Sequence, residues 1–137
     1  MATKPISLRV AEEVKVDLEQ IARRFGTSPA TLGADFVTQG VRATKHPSIE
    51  LRQTPMGRMA YVRGVRLPVW LAVETLEDCD GDANKAARLL RLPRLLLKAA
   101  LAYAKTFPEE IAADREAGRQ SSEELERLVP NHSFIRV

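Results

Sequence analysis

The opening residues of the chain alternate strictly between apolar and polar side chains. Apolar residues stand at every second position from Ile6 to Val10, and Ser7 and Arg9 lie between them. A period of two predicts a short β-strand. Because a single short strand cannot pair with itself, we expect it to pair with the same segment of a second copy. Such a two-stranded ribbon would present Ser7 and Arg9 on its open face, in a shape that fits the DNA major groove.

The apolar spacing then changes to three and four residues, which predicts two amphipathic helices. The face of the first helix consists of Val14, Leu18, Ile21, Ala22 and Phe25. The face of the second consists of Leu32, Phe36, Val37 and Val41. Between the helices, Gly26 suits a left-handed helix end, Ser28 an N-cap and Pro29 the first helical position. Gly33 and Gly40 each weaken the second helix by about 1 kcal/mol relative to Ala, and we expect them to allow two backbones to approach in a dimer.

A second unit follows the linker His46-Pro47-Ser48. Two short strands, Ile49 to Arg52 and Met59 to Val62, are predicted on either side of the turn Thr54-Pro55-Met56-Gly57. Three helices come next: the first carries Val69, Trp70, Val73 and Leu76, the second follows the N-cap Asp82, and the third runs from about Arg94 to Lys105. A helix, a tight break at Leu92-Pro93 and another helix form the helix-turn-helix arrangement.

The C-terminal segment is predicted to be helical in two pieces. Pro108 begins a helix that Gly118 ends, and Ser121 and Ser122 cap a short run through Leu128. Residues 134–137 are a further strand candidate. The expected fold is therefore mainly α with short β, built from a dimeric N-terminal unit and a hairpin with a helix-turn-helix.

Charge is unevenly distributed along the 137 residues, of which 28% are charged with a net charge of +3. Residues 1–46 contain seven Lys and Arg against five Asp and Glu, and residues 47–107 contain ten against six. In residues 108–137 the balance reverses, with four Lys and Arg against seven Asp and Glu. We take these three segments as domains. A basic body with an acidic tail suggests a polyanion as one partner and a cationic protein as another.

Several classes of function are not expected. Cys79 is the single cysteine, which excludes an internal disulfide and a thiolate metal cluster. Asp78 to Asn84 lacks the glycine and glutamate positions of a calcium loop, and no phosphate-loop, zinc or hydrolase motif occurs. We therefore predict no enzyme activity, no cofactor and no metal. The sequence has neither a signal core nor a membrane span, so a cytoplasmic location is expected.

Residues 5–43 resemble the ribbon-helix-helix family that includes the Arc and MetJ repressors. The matching residues are Ile6-Ser7-Leu8-Arg9-Val10 and the turn Gly26-Thr27-Ser28. The resemblance implies an antiparallel ribbon from two chains whose outward residues, here Pro5, Ser7 and Arg9, touch base edges. Pro5 departs from the usual polar residue. It also implies that Thr27, Ser28 and the backbone at Ala30 hold phosphate, which agrees with the free N–H groups of a helix start.

Two runs of residues form a recognisable motif in the second unit: Tyr61-Val62-Arg63-Gly64-Val65-Arg66-Leu67-Pro68-Val69 and Ala99-Ala100-Leu101-Ala102-Tyr103-Ala104. Through this motif, residues 49–112 resemble a bacterial domain-of-unknown-function family with an antitoxin-like setting and a helix-turn-helix core. Val65 replaces the threonine usual in that family. The resemblance implies the antitoxin half of a type II toxin–antitoxin pair, whose toxins are often PIN-domain ribonucleases.

Basic residues cluster in two places of this second unit. Arg88, Arg91, Arg94 and Lys98 surround the helix-turn-helix break, and Arg58, Arg63 and Arg66 lie near the hairpin. Arg94 and Lys98 are predicted to contact DNA phosphate, whereas Arg63 and Arg66 have the alternative of a structural role. Tyr61, Trp70 and Tyr103 are predicted to belong to the core.

The leading hypothesis is an antitoxin that represses its own operon as a homodimer on double-stranded operator DNA. Its tail would bind a PIN-domain-like toxin through the partner-binding residues Glu109, Glu110, Phe134 and Ile135. Two alternatives remain open. The protein is a stand-alone transcription regulator without a toxin, or it is an oligomerisation or adaptor protein that does not bind DNA.

Overall fold

The computed structural model describes residues 2–128 and divides the chain into two compact units, Met1–Arg42 and Ala43–Val137. The structure is mainly helical with one short two-stranded sheet, as the sequence predicts. The division falls at Arg42, whereas the sequence pattern placed it after His46. His46 lies edge-on to Tyr103 and Phe107, with ring centroids 5.1 and 5.9 Å away, so it belongs to the second unit.

The first unit contains helix α1, Glu12–Phe25, and the start of helix α2, Pro29–Lys45. Acidic residues open α1 and basic residues close it, which complements the helix dipole. Gly26 ends α1 with a φ of 65°, a left-handed conformation that glycine adopts without strain. Both helices and the turn between them agree with the sequence prediction.

An antiparallel hairpin opens the second unit, with β1 at Ile49–Thr54 and β2 at Gly57–Val62. Each strand is two residues longer than the pattern predicted. The Thr54 hydroxyl extends the pairing because it donates to the Gly57 carbonyl at 2.6 Å and accepts from the Met56 N–H at 3.2 Å. Ile49, Ala60 and Val62 are buried against the helices.

Three helices pack beside the hairpin: α3 at Val69–Asp78, α4 at Ala83–Leu90 and α5 at Arg94–Thr106. The Asp82 carboxylate caps α4 by accepting the Lys85 N–H at 3.1 Å, as predicted. The largest fully buried side chains in this unit are Val62, Val69, Leu97 and Tyr103. One continuous apolar core therefore joins the hairpin to the three helices.

Helix α6 runs unbroken over Pro108–Leu128, so the predicted helix end at Gly118 is wrong. Gly118 lies inside the helix, where the Trp70 ring packs directly on its backbone. A Cβ at this position would lie 2.7 Å from Trp70 Cε2. The glycine therefore makes room for a tryptophan and does not end the helix. Within residues 2–128, no helix combines the length and apolar character needed to cross a membrane.

Candidate nucleic-acid interface

The N-terminal segment predicted to read DNA forms no regular secondary structure within the single chain. Residues 2–11 are all exposed, and the apolar side chains of Ile6, Leu8 and Val10 are 72, 60 and 53% exposed. Ser7 and Arg9 lie among them, equally exposed. The ribbon requires a second chain for its hydrogen bonds, so strand formation at these residues stays a prediction.

The turn before α2 has the geometry of a capped helix start. Ser28 Oγ accepts the Thr31 N–H at 3.1 Å and donates to Thr31 Oγ1 at 2.8 Å. The first N–H groups of a helix have no partner inside the helix, which leaves the exposed Ala30 backbone able to approach an anion. Thr27 is half-buried, and its N–H donates to the Ala22 carbonyl at 3.0 Å. The predicted phosphate-binding residues are therefore adjacent at one helix N-terminus.

The first unit leaves most of its large apolar side chains in solvent. In residues 2–42, only Ala22 and Leu32 are buried. Residues predicted to form the inner faces of α1 and α2 are exposed: Val14, Phe25, Phe36, Val37 and Val41. A Cβ added at Gly33 would lie 3.6 Å from Leu18 Cδ2, and one added at Gly40 would have no described atom within 4 Å beyond its own helix backbone and sequence neighbours. One copy of this unit thus presents large apolar side chains to solvent, which is typical of interaction surfaces.

The turn between α4 and α5 presents the second basic cluster. Arg91 adopts a left-handed φ of 52°, and Leu92 behind it is buried, with its N–H donating to the Ala87 carbonyl at 3.0 Å. This tight turn exposes Arg88, Arg91, Arg94 and Lys98 together. Leu95 beside them is 76% exposed. The predicted phosphate contacts are thus accessible, but an apolar side chain stands among them.

One of the three basic residues near the hairpin, Arg63, bonds other residues of the second unit. Arg63 Nε donates to the Pro47 carbonyl at 2.9 Å, and its guanidinium lies 3.7 Å from the Glu50 carboxylate, so it ties the chain entry to the sheet. The bond to a carbonyl is the contact that the structural alternative for Arg63 predicts, and the side chain is 52% exposed. Arg58 and Arg66 are exposed.

The aromatic residues belong to the folded body. Tyr103 is buried, and Trp70 is covered by α6 at Gly118. Tyr61 is half-buried beneath the Arg52 guanidinium, 4.8 Å from the ring centroid. Tyr103 and Trp70 therefore belong to the core or pack against it, as predicted, whereas Tyr61 is not among the core residues.

The first half of α6 is built into the second unit. Ile111 is buried in the core, and Arg115 bonds Glu74 at 3.3 Å and Glu77 at 2.8 Å on α3. Hydrogen bonding from Arg115 lowers the pKa of Glu77. The Tyr103 hydroxyl donates a hydrogen bond to the Glu110 carboxylate at 2.5 Å, so this predicted partner-binding residue already has an internal role. Glu109 is exposed, and Phe134 and Ile135 lie outside the described residues.

Asp114 is a residue whose importance the sequence did not reveal. It faces the sheet, where the Ala60 N–H donates to its carboxylate, and its Oδ2 is buried without a partner in the described part of the chain. Burial raises the pKa of Asp114 to about 6, and the charge of Glu110 acts in the same direction. Among residues 2–128, no three acidic, histidine or cysteine side chains converge as a metal site.

Comparison with protein-family models, curated proteins and solved structures gives no match for this chain. The two resemblances described above therefore stay predictions, and any assignment of function depends on the geometry of these surfaces.

Proposed function

We propose that the protein is a homodimeric DNA-binding regulator of the antitoxin type. The observation that carries the proposal is the exposed apolar surface of α1 and α2, together with the alternating segment from Ile6 to Val10 that precedes α1. Two buried residues cannot hold two helices in place, since fully burying one large apolar side chain contributes only about 1.5–3 kcal/mol. A second copy supplies the missing core and, at the same time, the missing strand.

Dimerisation gives the N-terminal segment its reading role. When Ile6, Leu8 and Val10 turn inward onto the helices, strand alternation directs Ser7 and Arg9 outward. An arginine on a major-groove ribbon bonds guanine through two donors. The capped start of α2 at Ser28 and Ala30 offers backbone N–H groups to the flanking phosphate. Base reading and phosphate anchoring would thus come from adjacent segments.

The reading role is tested by Arg9→Ala in a mobility-shift titration on the upstream operator at fixed salt. We expect a loss of about 1–3 kcal/mol in binding free energy and a relaxed sequence preference. Lys15→Ala is the matched control, because it removes one exposed charge from α1 outside the ribbon. Equal affinities for the Arg9 and Lys15 variants would refute base reading by Arg9.

The antitoxin role is supported by the charge reversal from residue 108 onward and by the resemblance of residues 49–112. An acidic segment suits the cationic cleft of a ribonuclease. The test is co-expression of the full chain with the product of the neighbouring gene. A stable complex that suppresses ribonuclease activity supports the role. If the neighbouring gene product is not a nuclease or does not bind, the protein is a stand-alone regulator. If its binding to duplex DNA is weak and independent of salt, the protein is an adaptor that does not read DNA.

A further inference from the structure

The surface around the α4–α5 turn combines unneutralised positive charge with an apolar groove. We call it the α4–α5 face; it comprises Arg88, Arg91, Arg94, Leu95 and Lys98. Arg94 borders two shallow grooves, one shared with Arg88 and Arg91 and the other with Leu95 and Lys98. The second groove has a volume of about 370 Å³ and a floor of apolar side chains, namely Ala83, Leu97 and Leu101.

No acidic residue balances this face from its own helices. From Ala83 to Thr106 the chain has six Lys and Arg and no Asp or Glu. None of the four cations of the face forms an ion pair within the described residues. Phosphate would satisfy the cations but would leave Leu95 and the apolar groove uncovered. An occupant with both carboxylates and an apolar side chain satisfies the whole face.

The end of α6 beyond Arg119 is acidic where the α4–α5 face is basic, and its described side chains are not buried by the rest of the protein. Beyond Arg119, every side chain that the structure describes as far as Leu128 is exposed. A stretch of about two and a half turns is only marginally helical in water without packing. It carries Glu123, Glu124 and Glu126, and Leu128 is 72% exposed. Its charge and its apolar residue are complementary to the α4–α5 face.

We propose that the end of α6 from a second copy of this chain docks on the α4–α5 face. Leu128 covers the apolar groove beside Leu95, and the glutamates pair with Arg94 and Lys98. A reciprocal exchange of α6 ends between two copies closes on itself, as two-fold contacts do. This contact is independent of DNA reading by the first unit, and it competes with the predicted phosphate role of Arg94 and Lys98.

Hydrogen exchange of the full-length protein tests the contact. We expect the amides of residues 120–128 to exchange at least tenfold more slowly than in a synthetic peptide of residues 116–128. The double variant Arg94→Glu/Lys98→Glu is expected to lose this protection. Lys105→Glu, a single charge reversal at the other end of α5, is expected to keep it. Peptide-like exchange in the wild type, or protection that survives in the double variant, would overturn the proposal.

Mixing two variants shows whether the contact joins separate copies. Glu123→Lys/Glu124→Lys places lysines on the helix end, where they would meet the basic α4–α5 face. In Arg94→Glu/Lys98→Glu, the face variant, glutamates would meet glutamates. Copies of either variant alone therefore repel each other at this contact. In an equimolar mixture, the acidic end of one copy meets the basic face of the other, and protection of the acidic end should return. Protection that stays absent would exclude exchange between copies. If the face variant loses duplex affinity while exchange at residues 120–128 is unchanged, the face binds nucleic acid and the proposal is wrong.

Discussion

The two units of this chain obtain their stability in different ways. The second unit surrounds a continuous core in which Val62, Val69, Leu97 and Tyr103 are buried within one chain. The first unit has two well-formed helices and a capped turn, but among its described residues, 2–42, only Ala22 and Leu32 are buried. Correct local signals therefore exist in both units, while a complete core exists in only one.

This difference separates a unit whose core is complete within one chain from one that, on our proposal, a second copy completes. Helix caps and dipole pairs contribute about 0.3–2 kcal/mol each, which is too little to hold a short helix pair without packing. The apolar surface left on α1 and α2 is therefore best explained as half of an interface. The stability of the first unit should therefore depend more strongly on protein concentration than that of the second, whose core is complete within one chain.

The largest expected effect is in the core of the second unit. Leu97→Ala removes a side chain that is 1% exposed and leaves a cavity, so we expect it to cost about 2–5 kcal/mol. Urea unfolding at two protein concentrations, followed by Trp70 fluorescence, measures this cost. The loss should be the same at both concentrations. A loss below about 1 kcal/mol would show that this core is not closely packed.

The contact between α6 and α3 should be the next most sensitive. Gly118→Ala gains about 1 kcal/mol of helix propensity but forces a methyl group into the Trp70 ring. We expect a net loss of about 1–3 kcal/mol and a shift in Trp70 emission. Gly40→Ala is the matched control, because a Cβ there would have no described atom within 4 Å beyond its own helix backbone and sequence neighbours. A stable Gly118 variant would mean that α6 does not dock on Trp70.

The Gly40 control also sharpens the comparison between the units. In an isolated chain, Gly40→Ala should stabilise α2 by up to about 1 kcal/mol. If Gly40 lies against a second backbone, the same change should weaken self-association instead. Sedimentation equilibrium of the variant measures the dissociation constant and distinguishes the two outcomes.

The N-cap of α2 is expected to make a smaller contribution. Ser28→Ala removes the acceptor of the Thr31 N–H and should cost about 1 kcal/mol of first-unit stability. Ser28→Asp retains an acceptor and should restore most of it. Circular dichroism during thermal unfolding measures both variants, and equal loss in the two would show that the hydroxyl has no capping role.

The pH dependence of the second unit should reflect Asp114. Its folded pKa is raised from 3.8 to about 6 by burial. Stability from this group is therefore fully present below about pH 4 and is lost as pH rises through 6. Asp114→Asn keeps the acceptor for the Ala60 N–H without a charge, so we expect a higher melting temperature than wild type at pH 8 and no difference at pH 4. A variant that is less stable than wild type at pH 8 would contradict the burial of this carboxyl group.

Local signals in the sequence predicted most elements of the fold. The Gly26-Thr27-Ser28 turn, the hairpin around Met56 and the cap at Asp82 depend on a few neighbouring residues, and the structure has all three. Gly118 misled because a glycine near Ser121 and Ser122 has the appearance of a helix end. Its role in the structure is to let the Trp70 ring pack against α6, and Trp70 is 48 positions away in sequence.

The candidate site was less accessible to sequence reasoning. Alternation identified the exposed segment around Ser7 and Arg9, but its strand pairing depends on a chain outside the molecule. The roles of Asp114 and Arg115 arise from α6 lying across β2 and α3, which no local pattern encodes. Glu110 appeared to be a free acidic residue because its partner Tyr103 is seven positions earlier on a different helix.

The mass of the protein in solution tests the central claim most directly. Sedimentation equilibrium of the wild type should give about 30 kDa, twice the chain mass of 15.2 kDa. Ile6→Asp/Leu8→Asp places charge in the ribbon interior and should shift the mass towards 15.2 kDa with loss of helical signal from the first unit. A wild type that stays at 15.2 kDa at high concentration with both helices formed would contradict the account.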